Sequence, residues 1–192
     1  MQIEHSIQHS MTANQSTLQA ISQTLPQVGR LEAIIVRPAR GADCFYLQQT
    51  MAIKGIGLAD DRRGLNSHTT VNGSRQVTLI QAEHIEVIAQ LVGLSKLDPA
   101  LLRRNLLVSG INLLAIKPLF KHHINYLQVG QVLFEIVGDC DPCSRMETLL
   151  GAGGYNAMRG HGGVNAKIVQ GGQLSVGDTI HFVTHTQQMT LI

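Results

Sequence analysis

GGVNAKIVQGGQLSVGDTIHFV, Gly162–Val183, is the stretch on which the fold turns. It reads as a strand, a Gly-Gly turn, and further strands split at Gly177-Asp178. Working outward, the run QVLFEIVG holds the clearest upstream strand, over Val132–Val137. Tyr126–Val129, Ile111–Leu114 and Leu106–Val108 are further strand candidates. Nearer the N-terminus, Gln76–Ile80 (QVTLI), Phe45–Ile53 and Arg30–Val36 (RLEAIIV) read as strands, the last stopped by Pro38. Helical signals are fewer. Ala82–Leu91 carries Ile85, Ile88, Ala89 and Leu91 on or near one face. Asp98-Pro99 is an N-cap with proline at the first helical position, opening a short helix through Leu102. Ser144–Leu150 makes two helical turns ended by Gly151. Short strands, glycine turns and two or three helices predict a mainly β fold, a barrel or folded sheet with helical insertions.

The 192 residues suit one domain with a genuine hydrophobic core. Hydrophobic residues at 44% against charged residues at 15% make the class globular rather than disordered. Nineteen glycines, with aromatics at 4%, agree with a turn-rich β architecture. Residues 1–27 stand apart as a polar arm rich in Gln, Ser, Thr and His, expected to be mobile or a weak helix around Ser16–Leu25 ended by Pro26. The domain proper is expected over residues 28–192.

The formal charge of +2 is too small for bulk nucleic-acid binding, although a local basic pocket needs only a few arginines. No apolar run reaches the roughly 18 residues of a membrane span. Met1–Gln27 has no Lys or Arg and no apolar core, so it does not read as a signal peptide. Three cysteines do not make a disulfide framework, and a reducing cytoplasm is the expected location.

Most of the chemistry lies in Gly138–Arg145, GDCDPCSR. Cys140 and Cys143 form a C-x-x-C, for which three functions compete. A zinc half-site needs a second ligand pair, and only Cys44, His122-His123 or His161 are on offer, without paired spacing. A redox dithiol fits the local order of strand, C-x-x-C and helix, but Asp139 and Asp141 disfavour a thiolate at Cys140, and the strand–helix alternation of a thioredoxin-like domain is missing. The third makes Cys143 a lone thiolate, favoured by a helix start and by Arg145. Against all three stands a small buried thiol with no chemistry. The segment alone leaves this open.

The order of five segments carries a resemblance. GIGLADDRRG (Gly55–Gly64), RQVTLIQAE (Arg75–Glu83), LRRNLLVSGI (Leu102–Ile111), VGQVLFEIVGDCDPCSRME (Val129–Glu147) and GHGGVNAKIVQGGQLSVGD (Gly160–Asp178) resemble the MOSC family, the molybdenum-cofactor sulfurase C-terminal domain, in its stand-alone bacterial form. The resemblance runs from about Gly29 to Phe182. It implies a β-barrel organised around one cysteine, Cys143, which carries sulfur as a persulfide or ligates molybdenum in the molybdenum cofactor.

On that resemblance Arg104 and Asn105 offer planar donors to a phosphate or to pterin edges, with Arg75 adding to them. Asp61 and Arg62 sit in the glycine loop as a lid or pterin contact. Gly162 and Gly163 admit backbone N–H groups close to an anion. Arg103 reads as a solvated strand-end residue, His161 as a loop residue, and His122 and His123 as surface residues. Cys140 is either a resolving partner for an oxidised or persulfidated Cys143 or incidental.

Larger family members add a desulfurase-like or a separate N-terminal barrel domain. Neither is seen here, so pyridoxal phosphate is not implied. Three functions follow as expectations. The first is a molybdenum-cofactor protein that reduces N-hydroxylated or related N–O small molecules. Its electrons come from a partner reductase, because no flavin, haem or iron–sulfur motif is present. The second is a sulfur carrier charged by a sulfur-donor protein. The third is a non-catalytic binding module.

Overall fold

Seven strands close on themselves in the computed structural model, which describes residues 18, 20–66, 71–117 and 123–184. The strands are β1 (Gly29–Val36), β2 (Phe45–Leu47), β3 (Gln49–Ile53), β4 (Gly57–Leu58), β5 (Val77–Gln81), β6 (Leu106–Ser109), β7 (Asn125–Val129), β8 (Val132–Asp139), β9 (Val164–Gln170), β10 (Gly172–Ser175) and β11 (Thr179–Thr184). The barrel runs β11-β7-β8-β9-β5-β6-β1 and is sealed where Gly29 and Arg30 of β1 meet Ile180 and Thr179 of β11. β2 extends the wall beyond β1, and β10-β3-β4 forms a separate small sheet. Closure removes the unpaired edges that an open sheet would expose.

β5 and β6 pair in parallel, whereas the other strand pairs of the barrel among the described residues are antiparallel. A parallel pair needs a crossover, and here it carries α2 (Ala82–Leu91) and a 3₁₀ turn (Pro99–Leu102). The other helices are α1 (Arg62–Leu65), α3 (Arg145–Leu150) and α4 (Gly154–Met158). Strand alternation then assigns the cores. Leu79 points into the barrel with Leu31, Leu106, Leu127, Phe134 and Ile168. Its neighbour Ile80 points outward, where Ile85 and Ile88 of α2, Met146 of α3 and Met158 of α4 cover it. Each such side chain contributes roughly 1.5–3 kcal/mol on burial.

The mainly β barrel agrees with the sequence reading, and Ala82–Leu91 is helical over the expected residues. Leu91, expected on the buried face, is 60% exposed. Phe45–Ile53 is not one strand but two, in different sheets, broken at Gln48. Ile111–Leu114 is a turn instead of a strand. The Asn112 carboxamide accepts from the N–H groups of Leu114 and Ala115, offering the backbone a local partner in place of a ladder. The apolar side chains there, Ile111, Leu113 and Ile116, are buried all the same. The glycine loop contains β4 and α1, while residues 67–70 fall outside the description. α4 was not expected from its glycine-rich sequence; Gly154 lets it press against Leu150 and Met146 of α3. Of the N-terminal arm, residues 20–22 are helical, and residues 1–17 and 19 are not described.

Candidate functional site

The site grows where β1, β5 and β6 come together. Asn105, just ahead of β6, accepts from the Thr78 N–H (3.1 Å) and hydroxyl (3.0 Å), and donates to the Ile35 carbonyl (3.3 Å). Its amide therefore locks the parallel strands to β1. Beyond β1, the Arg37 N–H donates to the Asp61 carboxylate (2.8 Å), and the Arg62 N–H donates back to the Arg37 carbonyl (2.8 Å). These two bonds fasten the glycine loop to the strand end.

Between these elements lies a cavity of about 220 Å³. Six arginines line it, Arg37, Arg62, Arg63, Arg75, Arg103 and Arg104, and Asp61 is the one carboxylate among its described wall residues. Two guanidinium atoms, Arg37 Nε and Arg103 Nη2, are buried without a hydrogen-bond partner. Burial, and then the charge of Arg103, hold the Arg37 guanidinium below its ordinary value, with Asp61 opposing. A buried donor left unmade costs about 1–3 kcal/mol, so this wall is chemically incomplete without an acceptor. Cys44 forms another part of the wall; burial pushes its thiol up, and Arg103 and Arg37 pull it back.

Arg103 departs from its sequence reading, and Arg104 does more than its reading gave it. Arg103 ends the 3₁₀ turn in the left-handed region (φ 59°), uncommon for a non-glycine residue, and lines the cavity instead of the solvated surface. Arg104 is buried and also reaches the cavity wall, but its nitrogens clamp the chain. Nε donates to the Gly162 carbonyl (2.8 Å), Nη1 to that of Leu102 (2.9 Å) and Nη2 to that of Cys140 (3.0 Å).

That clamp organises the cysteine segment. The Cys140 N–H donates to the Gly163 carbonyl (2.9 Å), and Asn165 donates to the carbonyl of Asp139 (2.6 Å). The Asp139 carboxylate pairs with Lys117 at 2.9 Å. Gly162 and Gly163 are required here for packing. A Cβ at Gly162 would collide with the Cys140 carbonyl, and one at Gly163 (φ 82°) with that of Leu79. Both glycines line a second, smaller cavity of about 110 Å³ that also borders Cys140 and Pro142. Burial raises the Cys140 thiol, while Arg104 and Arg75 draw it down. Cys143 is exposed, just ahead of α3, and lies in the wall of neither cavity.

Behind the clamp, His84 of α2 and His161 meet edge to face, their ring centroids 4.8 Å apart. Nδ1 of each is buried without a hydrogen-bond partner. Among the described residues, no group of three or more His, Cys, Asp or Glu is placed to share a metal ion.

Residues 61–181 match the family model described as the MOSC domain, which is more than half of the chain. The chain belongs to the MOSC family. Among solved structures, this MOSC chain is similar to the YuaD protein from Bacillus subtilis, with 18% identity over 83% of this chain and 97% of that one, at a TM-score of 0.67. It is also similar to YiiM from Geobacillus stearothermophilus (14% identity, 81% and 75% covered, TM-score 0.59) and YiiM from Escherichia coli (16%, 80% and 69%, TM-score 0.56). At such identities these likenesses speak to the fold. No curated protein matches the sequence at a significant level.

Of the MOSC residues singled out from sequence, Asp61, Arg62, Arg75, Arg104 and Asn105 share the arginine cavity, while Gly162 and Gly163 sit beside Cys140. The sequence reading did not single out Arg37, set Arg103 at the solvated surface, and considered Cys44 only as a zinc ligand. Arg37 had one usable signal, a cation between a β-branched strand and the proline that ends it.

Proposed function

We propose that this MOSC protein binds the molybdenum cofactor, with its anionic end in the arginine cavity and Cys143 as the thiolate ligand, and reduces N-hydroxylated or related N–O small molecules. The observation that carries the reading is the pair of buried, unpartnered guanidinium atoms of Arg37 and Arg103. Such atoms call for an acceptor-rich anion, and guanidinium suits phosphate and pterin edges through its planar donors. A cavity of about 220 Å³ is below the size usual for a whole drug-sized ligand and suits one charged end of it. Arg75 and Arg104 line that cavity and also act on Cys140, so the anion pocket and the cysteine segment are adjacent.

When bound, the cofactor supplies the metal-centred redox chemistry. The protein's part is to hold the anion at Arg37, Arg103 and Arg75, to present the Cys143 sulfur, a donor suited to a thiophilic metal, and to fix the cysteine segment through Arg104. Electrons are assigned to a partner reductase and the location to the cytoplasm, where thiols stay reduced. No helix among the described residues is long and apolar enough to cross a membrane.

The exposure of Cys143 favours a second reading, a sulfur carrier whose Cys143 persulfide is handed to an acceptor. Molybdenum and pterin content of the full chain expressed with molybdate separates the two. Near-stoichiometric molybdenum, lost in both Cys143→Ala and Arg103→Ala, is the expected result. A Cys143 persulfide without molybdenum gives the carrier instead, and a folded chain with neither leaves a binding module.

A further inference from the structure

We propose that Cys140 and Cys143 form a reversible disulfide, so that the segment is a redox-modification site that withdraws the Cys143 thiol. This goes beyond cofactor binding and does not require the cofactor.

The two thiols differ in the way such a couple needs. Cys143 is exposed and open to an oxidant. Cys140 is half-buried, and its backbone is pinned on both sides, by its N–H on the Gly163 carbonyl (2.9 Å) and its carbonyl under Arg104 (3.0 Å). It is a held thiol three residues from an exposed one. Only Asp141 and Pro142 separate the two residues in the chain.

The linking residues Asp141 and Pro142 belong to no helix or strand, and both border the cavity of about 110 Å³ beside Cys140. That space lets the link repack as the sulfurs meet, without displacing the barrel core. α3 begins at Arg145, and the Cys143 carbonyl accepts the Met146 N–H (2.9 Å), so a shift of Cys143 gives up one bond of the first turn. Cys44 belongs to the arginine cavity and the Arg37–Arg103 side of the site, which leaves it outside the couple.

With a peroxide as oxidant, the Cys143 thiol is oxidised to a sulfenic acid as the peroxide O–O bond breaks and water leaves. The Cys140 sulfur then attacks the Cys143 sulfur, the S–S bond forms, the S–OH bond breaks, and a second water carries away the Cys140 proton. A dithiol reductant reverses the couple by exchange.

The experiment treats the reduced, desalted full chain with a small excess of hydrogen peroxide, alkylates the remaining thiols and reads the tryptic peptide His122–Arg145, which holds both cysteines. The expected product has lost two hydrogens and both alkylation sites, leaves Cys44 alkylated, and regains both thiols with dithiothreitol. Cys140→Ser is expected to send Cys143 on to sulfinic acid. Recovery of Cys143 as sulfinic acid in the unaltered chain with Cys140 still alkylated overturns the proposal, as does a bridge to Cys44. Molybdenum content is read separately, so failure of the couple and failure of the cofactor reading are distinguishable.

Discussion

Arg103 and Arg104 are neighbours in the chain and opposites in the structure. Arg104 is buried with all three guanidinium nitrogens donating to backbone carbonyls, whereas Arg103 keeps one buried nitrogen without a partner. The first is architecture and the second is an invitation. The difference teaches that a positive charge in a cavity wall identifies a ligand site only after its hydrogen bonds have been traced. Gly162 and Asn105 fall on the architectural side with Arg104, and Arg37 on the open side with Arg103.

The sharpest way to break this contrast is Arg104→Ala. It leaves three carbonyls from three segments without their charged donor, and we expect a loss of about 3–5 kcal/mol in denaturant unfolding. If stability falls by less than about 1 kcal/mol, the clamp is not structural. Asn105→Ala should cost about 2–3 kcal/mol in the same measurement, because the Thr78 N–H loses its acceptor between packed strands.

Arg103→Ala should do the reverse. Unfolding free energy should hold or rise by up to about 2 kcal/mol, since an unmet buried donor and a like charge beside Arg37 are removed, while molybdenum-cofactor content drops by about tenfold. A large stability loss with unchanged cofactor content would move Arg103 to the architectural side.

The smallest effect expected concerns His84, whose neighbour His161 precedes the Gly162 that Arg104 holds. Burial, with His161 adding, holds His84 below the ordinary 6.5, and Glu83 opposes. The unfolded chain therefore takes up a proton first as pH falls. The contribution to stability is present above about 6.5 and is lost as pH falls from there toward the lower folded value. A shallow loss of stability in that window, flattened in His84→Gln, is the expected outcome; an unchanged slope in the variant removes His84 from the account.

How far the sequence could carry this contrast depends on which physical rule decides each residue. Period and punctuation decide Ala82–Leu91, the Gly177-Asp178 break and the Asp98 cap, whose carboxylate does accept from the Ala100 N–H (3.0 Å), and these were legible. Ile111–Leu114 was misread because its apolar residues are buried as in a strand while Asn112 bends the backbone. Phe45–Ile53 was misread because one β-type run feeds two sheets, a matter of what lies beside it. The cysteine segment stands out by residue types and order, but its C-x-x-C alone leaves the role of Cys143 open. The roles of Arg103 and Arg104 were not, because a left-handed residue after a 3₁₀ turn decides which guanidinium meets carbonyls, and no glycine announced it.

The seal between β1 and β11 has a consequence for biosynthesis. Gly29 leaves the ribosome early, yet its partner Ile180 must emerge before the ring can shut. Until then the Gly29–Arg30 end of β1 presents an unpaired edge to neighbouring nascent chains, although β2 covers the far end of that edge and β6 the other side once they arrive. Translation speed and chaperone supply therefore bear on how much of the chain closes its barrel before that edge meets another chain.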